Sequence, residues 1–222
     1  MELYDVMRTT FAARDFTGAP VPDADLYRIL DNARFAPSGG NRQGWQVIVV
    51  RDKKTKDALP ALIRPAMQRY FAQAGAGEAP WNTINPTRLL PAQIEATPVP
   101  AEFVRKLTHA PVVLFVFVDL SVVASFDQNL DRVGVISGAS VYPFVWNILL
   151  AARNEGYGGV PTTFIAPKEY ELRDLLGVPE QMAFAAMIPL GRPVKQLTRL
   201  RRIAVEDFAS FEHFDGDRLT AT

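Results

Sequence analysis

Three stretches of this sequence carry side chains suited to gripping a polar or anionic group. Arg14 stands near the start, the polar loop Ser38-Gly39-Gly40-Asn41-Arg42-Gln43 follows a helical segment, and Arg199, Arg201 and Arg202 cluster towards the end. A guanidinium clamps a phosphate or carboxylate through two parallel N–H donors. The loop adds compact donors and acceptors with little side-chain bulk. Each stretch also has an ordinary reading: a tail arginine as a solvated charge, the loop as a plain helix-to-strand connector. The familiar catalytic constellations are missing. His109 and His213 are the only histidines and cysteine is absent, which excludes a HExxH pair, a thiolate zinc set, a disulfide and a thiol nucleophile. Both histidines read as structural. Ser38 lacks the strand-to-helix elbow of a hydrolase, and no phosphate loop or GxGxxG opens a helix. Asp23 and Asp25 read as helix-start charge, Asp127 and Asp131 as a solvated face. Binding groups without a side-chain reagent point to a bound organic cofactor that carries the reaction itself.

The elements that must position these residues follow from apolar spacing. Asp23 can cap a helix in which Leu26, Ile29, Leu30 and Ala33 share one face. Pro37 ends it, because proline fixes its own φ and biases Ala36 away from helix. Residues 45–50, WQVIVV, then read as a strand buried on both faces. A helical pattern over 56–73, broken near Pro60 and Pro65, buries Leu59, Leu62, Ile63, Met67 and Phe71. Residues 75–101 hold two glycines and five prolines, which deny them any long regular element. Trp81, Ile84, Leu89 and Leu90 argue against plain disorder, leaving a lid, an excursion over a neighbour, or a surface insertion. Residues 112–118, VVLFVFV, are a second buried strand and 183–190 a third. Gly158-Gly159-Val160-Pro161-Thr162-Thr163-Phe164 is glycine-rich and then β-prone, 168–176 a short amphipathic helix, and 195–222 a C-terminal extension.

The chain of 222 residues is long enough for one sizeable core, so a single domain over 1–222 is expected. Its formal net charge is zero, which offers no field to nucleic acid or an anionic membrane. Residues 133–152 contain no charge, yet Ser137, Gly138, Ser140, Pro143 and Asn147 interrupt them. They read as a helix buried at the centre of a domain or dimer rather than as a membrane span. The lack of cysteine and of an apolar leader fits a cytoplasmic protein. Strands interleaved with dominant helices imply an α+β or α/β domain with a central sheet.

Over nearly its whole length the chain resembles the nitroreductase family of flavin-dependent oxidoreductases. The resemblance rests on Arg14-Asp15-Phe16, on Ala36-Pro37-Ser38-Gly39-Gly40-Asn41-Arg42-Gln43-Gly44-Trp45, on Gly138-Ala139-Ser140 leading to Leu149-Leu150-Ala151-Ala152, on Gly156-Tyr157-Gly158-Gly159, and on Ile188-Pro189-Leu190-Gly191-Arg192-Pro193. It implies an α+β FMN-binding fold, a central mixed sheet surrounded by helices, in an intertwined homodimer with one flavin in each of two interface sites. Arg14 would then sit by the flavin's pyrimidine edge or ribityl chain. Pro37, Ser38, Gly39, Asn41 and Gln43 would line the pocket from the partner chain, with Ser140 nearby. Thr162 and Thr163 would approach the isoalloxazine edge through their backbone, and Arg201 and Arg202 would hold the phosphate. One departure stands out: the basic residue and serine usual before the first arginine are Thr10, Phe11 and Ala12 here. Either Arg8 or Thr10 compensates, or phosphate affinity rests on the C-terminal arginines.

The expectation is an FMN-dependent, NAD(P)H-using reductase of nitroaromatics, quinones or activated alkenes, working in a ping-pong cycle without a catalytic side chain or metal. Phe71 and Trp81, from the lid side, would shape the cavity for a small-molecule acceptor. The alternatives are a specialised member such as a reductive dehalogenase, a flavin-binding storage or sensor protein without turnover, and a structural dimer without cofactor.

Overall fold

A computed structural model describes residues 1–221. Its backbone is a four-stranded sheet in the order β1-β2-β4-β3, with β1 Trp45–Val50, β2 Val112–Asp119, β3 Gly158–Gly159 and β4 Met182–Gly191. All ladders are antiparallel. The mixed sheet expected from the sequence is thus an antiparallel one, and the parallel element is a single bridge between Ala12 and Gly159.

β2 reads as apolar throughout because it is central and covered on both faces: Val112 to Val118 are all buried. Alternation divides its side chains. Val112, Leu114, Val116 and Val118 meet α2 (Asp23–Ala33) and α6 (Tyr142–Asn154) through Leu26, Ile29, Phe144, Ile148 and Leu149. Val113, Phe115 and Phe117 face the opposite layer. There they meet Leu59, Ile63 and Met67 of α3 (Lys53–Gly75), Leu107 of α5 (Ala101–Thr108) and Leu172 of α7 (Glu169–Leu176). α1 (Leu3–Thr9) and α4 (Pro91–Glu95) lie outside these layers.

Three elements differ from the sequence reading. β1 is an edge strand, paired only with β2, and much of it is open, with Val49 exposed. α3 runs unbroken through Pro60 and Pro65. Its apolar positions keep helical spacing across both prolines, so burial of one continuous face offsets the cost of about 3 kcal/mol expected for an interior proline. The apolar stretch 133–152 is not one helix. It forms a 3-10 turn over Ile136–Ser140, and α6 begins only at Tyr142, with Pro143 in its first turn. Proline suits that position and prevents a helix from running through it from upstream. No helix among the described residues is long and apolar enough to cross a membrane.

Candidate functional site

The backbone around Arg14 is pinned to the sheet. Ala13 N–H donates to Gly159 O at 3.1 Å, Thr17 N–H to Arg192 O at 2.9 Å and Val194 N–H to Asp15 O at 3.0 Å. Gly159 must be glycine for this packing, since a Cβ there would stand 2.7 Å from Pro189 O. Just beyond, Thr162 exchanges backbone hydrogen bonds with Met187 at 2.9 Å, which lays residues 160–164 along β4.

These segments and α3 enclose a cavity of about 440 Å³. Arg14, Thr162 and Thr163 line it together with Trp81, Tyr70 and Phe164, and prolines 80, 161 and 167 complete flat apolar walls. Arg14 is its only charged lining residue, and no acid faces it. The Arg14 guanidinium makes one long bond, to Ala12 O at 3.4 Å, so its charge is available. Arg14 also borders a smaller basic cleft of about 110 Å³ with Arg105, Lys106 and His109. The other basic side chains there are already engaged: Arg105 by Glu102, Lys106 by Asp15 at 3.4 Å and His109 by Asp57 at 3.1 Å.

Trp81 reaches the cavity through a built segment. Its N–H donates to Gln73 Oε1 at 3.0 Å and its indole N–H to Ala66 O at 3.2 Å. Gln73 is buried on α3 and passes its amide to Glu78 at 3.2 Å. Glu78 also accepts from the Thr87 hydroxyl at 2.6 Å and from Arg88 N–H at 2.9 Å. The Thr87 hydroxyl, then the Arg88 amide, hold its carboxyl below the usual range. Of the two aromatics expected at the acceptor cavity, Trp81 lines it and Phe71 does not. Phe71 packs edge-to-face on Tyr70 and Phe103 over the core. The helical run Leu59, Ile63, Met67, Phe71 already implied this, because it turns Phe71 inward and its neighbour Tyr70 outward.

The polar loop forms a second group. Ser38 Oγ accepts from Gln43 N–H at 2.9 Å, Asn41 accepts the Gln43 amide at 3.2 Å, and Ser140 Oγ accepts from Gly39 N–H at 3.2 Å. Gly40, Asn41 and Gln43 all take positive φ, and a Cβ on Gly39 would stand 3.3 Å from Ser140 Oγ. The loop is a tight, exposed cradle of amides, with Pro37 at its entrance. Ser140 is itself delivered by a buried carboxylate. Asp127, expected on a solvated face, is instead 4% exposed and accepts from Val135 N–H at 2.8 Å, Ile136 N–H at 3.4 Å, Arg132 at 2.7 Å and Ser125 at 3.2 Å. The Val135 amide, then Arg132, drive its carboxyl far below the ordinary aspartate value. A lone aspartate among polar residues gave no signal of this in the sequence.

The two groups do not meet within one chain. The loop precedes Trp45, which pairs with Val118, whereas Arg14 lies by Gly159, next to the end where Val112 pairs with Leu190. At about 3.3 Å per residue the ends of β2 stand roughly 20 Å apart. Arg201 and Arg202 join neither group; both are exposed on the tail, where Arg202 donates to Arg201 O at 2.8 Å. Thr10 is buried and spends its hydroxyl on Val6 O at 2.7 Å, so it is not free for an anion.

Residues 7–192 match the model of the Nitroreductase family. An NADH dehydrogenase of Thermus thermophilus is 30% identical over 87% of each chain. An iodotyrosine deiodinase of Thermotoga neapolitana is 26% identical over 86% of this chain and 88% of that one. Among solved structures, an oxidized iodotyrosine deiodinase bound to FMN and 3-iodo-L-tyrosine superposes with a TM-score of 0.68 at 26% identity, covering 96% of this chain and 100% of that one.

Proposed function

This chain belongs to the nitroreductase family, and from that premise we propose that it is an FMN-dependent reductase fed by NADH or NADPH. Its acceptors are nitroaromatics, quinones or activated alkenes. The observation that carries this reading is the cavity: planar aromatic walls, one uncommitted guanidinium, and no carboxylate, histidine or cysteine among its lining residues. FMN bound there, held by Arg14 and the loop, would supply the redox chemistry, hydride uptake from a nicotinamide and two-electron reduction of an acceptor.

The residues present fit such a group. Arg14 offers an unpaired cation for an electron-rich ring edge, where a fixed charge stabilises negative charge without reorganising. Thr163 is exposed on the cavity wall and offers its backbone beside it, whereas the Thr162 amide and carbonyl are already paired with Met187. The glycine cradle at Gly39 and Gly40, with Pro37, Ser38, Asn41, Gln43 and Ser140, admits close approach of a ligand to backbone. Arg201 and Arg202 are the cations assigned to the phosphate, the more so because Thr10 is committed elsewhere.

The protein acts as a homodimer in this reading. Two groups roughly 20 Å apart in one chain complete a single site only if a second chain brings its loop to the first chain's cavity. Val133, Val135, Ile136, Tyr142 and Trp146 are exposed around the start of α6, and the edge of β1 is open. Such apolar surface calls for a partner. The lack of cysteine supports a cytoplasmic setting.

The test is the visible spectrum of purified protein before and after anaerobic NADH or NADPH, followed by turnover with menadione. Flavin bands that bleach, and steady nucleotide oxidation, support the reading. Bands that refuse to bleach leave a binding protein, and a colourless protein that takes up no added FMN removes the assignment. A dehalogenating variant of the same chemistry is favoured by the deiodinase relatives alone, and iodide release from 3-iodotyrosine distinguishes it.

A further inference from the structure

We propose that Asp127 is a positioning residue for the flavin: through one short turn it presents Ser140 to the polar loop, and so sets how tightly FMN is held without touching it. This rests on the reductase reading, in which the loop and Ser140 form one wall of the flavin site.

Residues 119–140 hold the loop at both ends. Ser140 Oγ accepts from Gly39 N–H at 3.2 Å at its start. At its end Asp119 N–H donates to Gly44 O at 2.8 Å and Arg42 donates to Val122 O at 3.4 Å. A Cβ on Gly44 would stand 2.6 Å from Val122 Cγ2, so the two stretches of backbone approach closely. By accepting from Gly39, Ser140 Oγ spends a lone pair and keeps its own hydrogen, which donates to no other group among the described residues. A hydroxyl held in this way is an aimed donor at the edge of a cradle whose glycines admit a ligand.

The stretch that delivers Ser140 has little else to fix it. No helix or strand lies between β2 and the 3-10 turn Ile136–Ser140, and Phe126, Leu130, Val133 and Val135 are exposed. Asp127 is the exception, buried and facing back into its own segment. Its Oδ2 accepts from Val135 N–H at 2.8 Å, Ile136 N–H at 3.4 Å and Arg132 at 2.7 Å, and its Oδ1 from the Ser125 hydroxyl at 3.2 Å. The two amides open the turn that Ser140 closes. A carboxylate thus stands at the base of the turn and the loop's serine at its tip. An asparagine there presents an amide N–H₂ in place of one accepting oxygen, so one set of these donors loses its partner and the turn is loosened.

The experiment measures the FMN dissociation constant by quenching of flavin fluorescence, well below the unfolding transition. It compares the unchanged full chain with Asp127→Asn, Ser140→Ala and the double variant, and records the thermal midpoint of each. Both single changes should weaken FMN by about tenfold, although only Asp127→Asn should cost much stability. In the double variant the loss should stay near that of one change rather than reach the product of about a hundredfold, because both cut the same link. An Asp127→Asn protein that loses midpoint but holds FMN as before overturns the proposal. So does a Ser140→Ala protein of unchanged affinity, or a double variant at the full product. Should Asp127→Asn not fold, Arg132→Met removes a half-exposed partner of the same carboxylate and is read by the same criteria. In each of those failures an unchanged chain that binds FMN leaves the reductase reading standing; an unchanged chain that takes up no FMN removes both.

Discussion

Arg14 and Asp127 show how differently two charged side chains can be placed in one fold. Arg14 is exposed and holds only a 3.4 Å bond to Ala12 O, so little of the fold depends on it. Arg14→Met should therefore leave the thermal midpoint within a degree or two while weakening FMN retention by roughly ten- to a hundredfold, the worth of a charge-assisted contact. Equilibrium dialysis of FMN against both proteins checks this, and equal affinities would remove Arg14 from the binding set. Asp127 is the reverse case, buried and wholly engaged. Its carboxyl is held far below the ordinary value, so it binds its proton more readily in the unfolded chain than in the folded one. The stability it contributes is present in full above the unfolded value of about 4 and drains away as pH falls below it. Asp127→Asn should lower the midpoint at pH 7, and its gap from the unchanged protein should narrow as pH is brought towards 3. A gap independent of pH would mean that the carboxylate is not what holds this turn.

At the scale of elements, the segment between α3 and α5 is held by Gln73 and Glu78 rather than by secondary structure. Gln73→Leu leaves the Trp81 N–H and a Glu78 oxygen without their partner, a loss of about 1–3 kcal/mol confined to that segment. Trypsin should then cut after the exposed Arg88 several-fold faster than in the unchanged protein, with little change in global unfolding. Unchanged cleavage would show that the segment is held elsewhere. None of this could be read from the sequence, where seven prolines and glycines over 75–101 spoke only of irregularity. A buried glutamine announces itself through its partners, and its partners here are five or more residues away. What was legible was whatever depends on local pattern: the apolar runs became β1, β2 and β4, and the amphipathic spacing became α2, α3 and α7. The misreadings concern cooperation between elements. α3 survives two prolines because the core covers it, and 133–152 splits because Pro143 starts a helix rather than sitting inside one. Arg14, Thr162, Thr163 and Trp81, named from motif and position, line one cavity, while Tyr70 beside them was passed over.

The molecule is a sheet covered by helices on both faces, and residues 195–221 add almost nothing to its core. After Val194 the chain carries Leu197, Ile203, Val205, Phe208, Phe211, Phe214 and Leu219, every one exposed, and its clearest tie to the body is Gln196 donating to Thr9 O at 2.9 Å. Apolar side chains in that number, each worth about 1.5–3 kcal/mol when fully buried, are not carried in water without a surface to meet. The unpaired edge of β1 and the exposed residues ahead of α6 are surfaces of the same kind on the body. If the tail of one chain covers those surfaces on another, it also carries Arg201 and Arg202 to the second chain, where the proposed phosphate contact would be made. A chain ending after Leu197 should then fold, because it loses no buried core residue, yet shift from dimer towards monomer in light scattering and retain FMN at least tenfold more weakly. Restoring 198–222 with both arginines changed to glutamine separates the two roles: the dimer should return while the flavin stays weakly held. A truncated chain that remains a flavin-loaded dimer would show that the tail serves neither purpose, and would return the phosphate to the body of the protein.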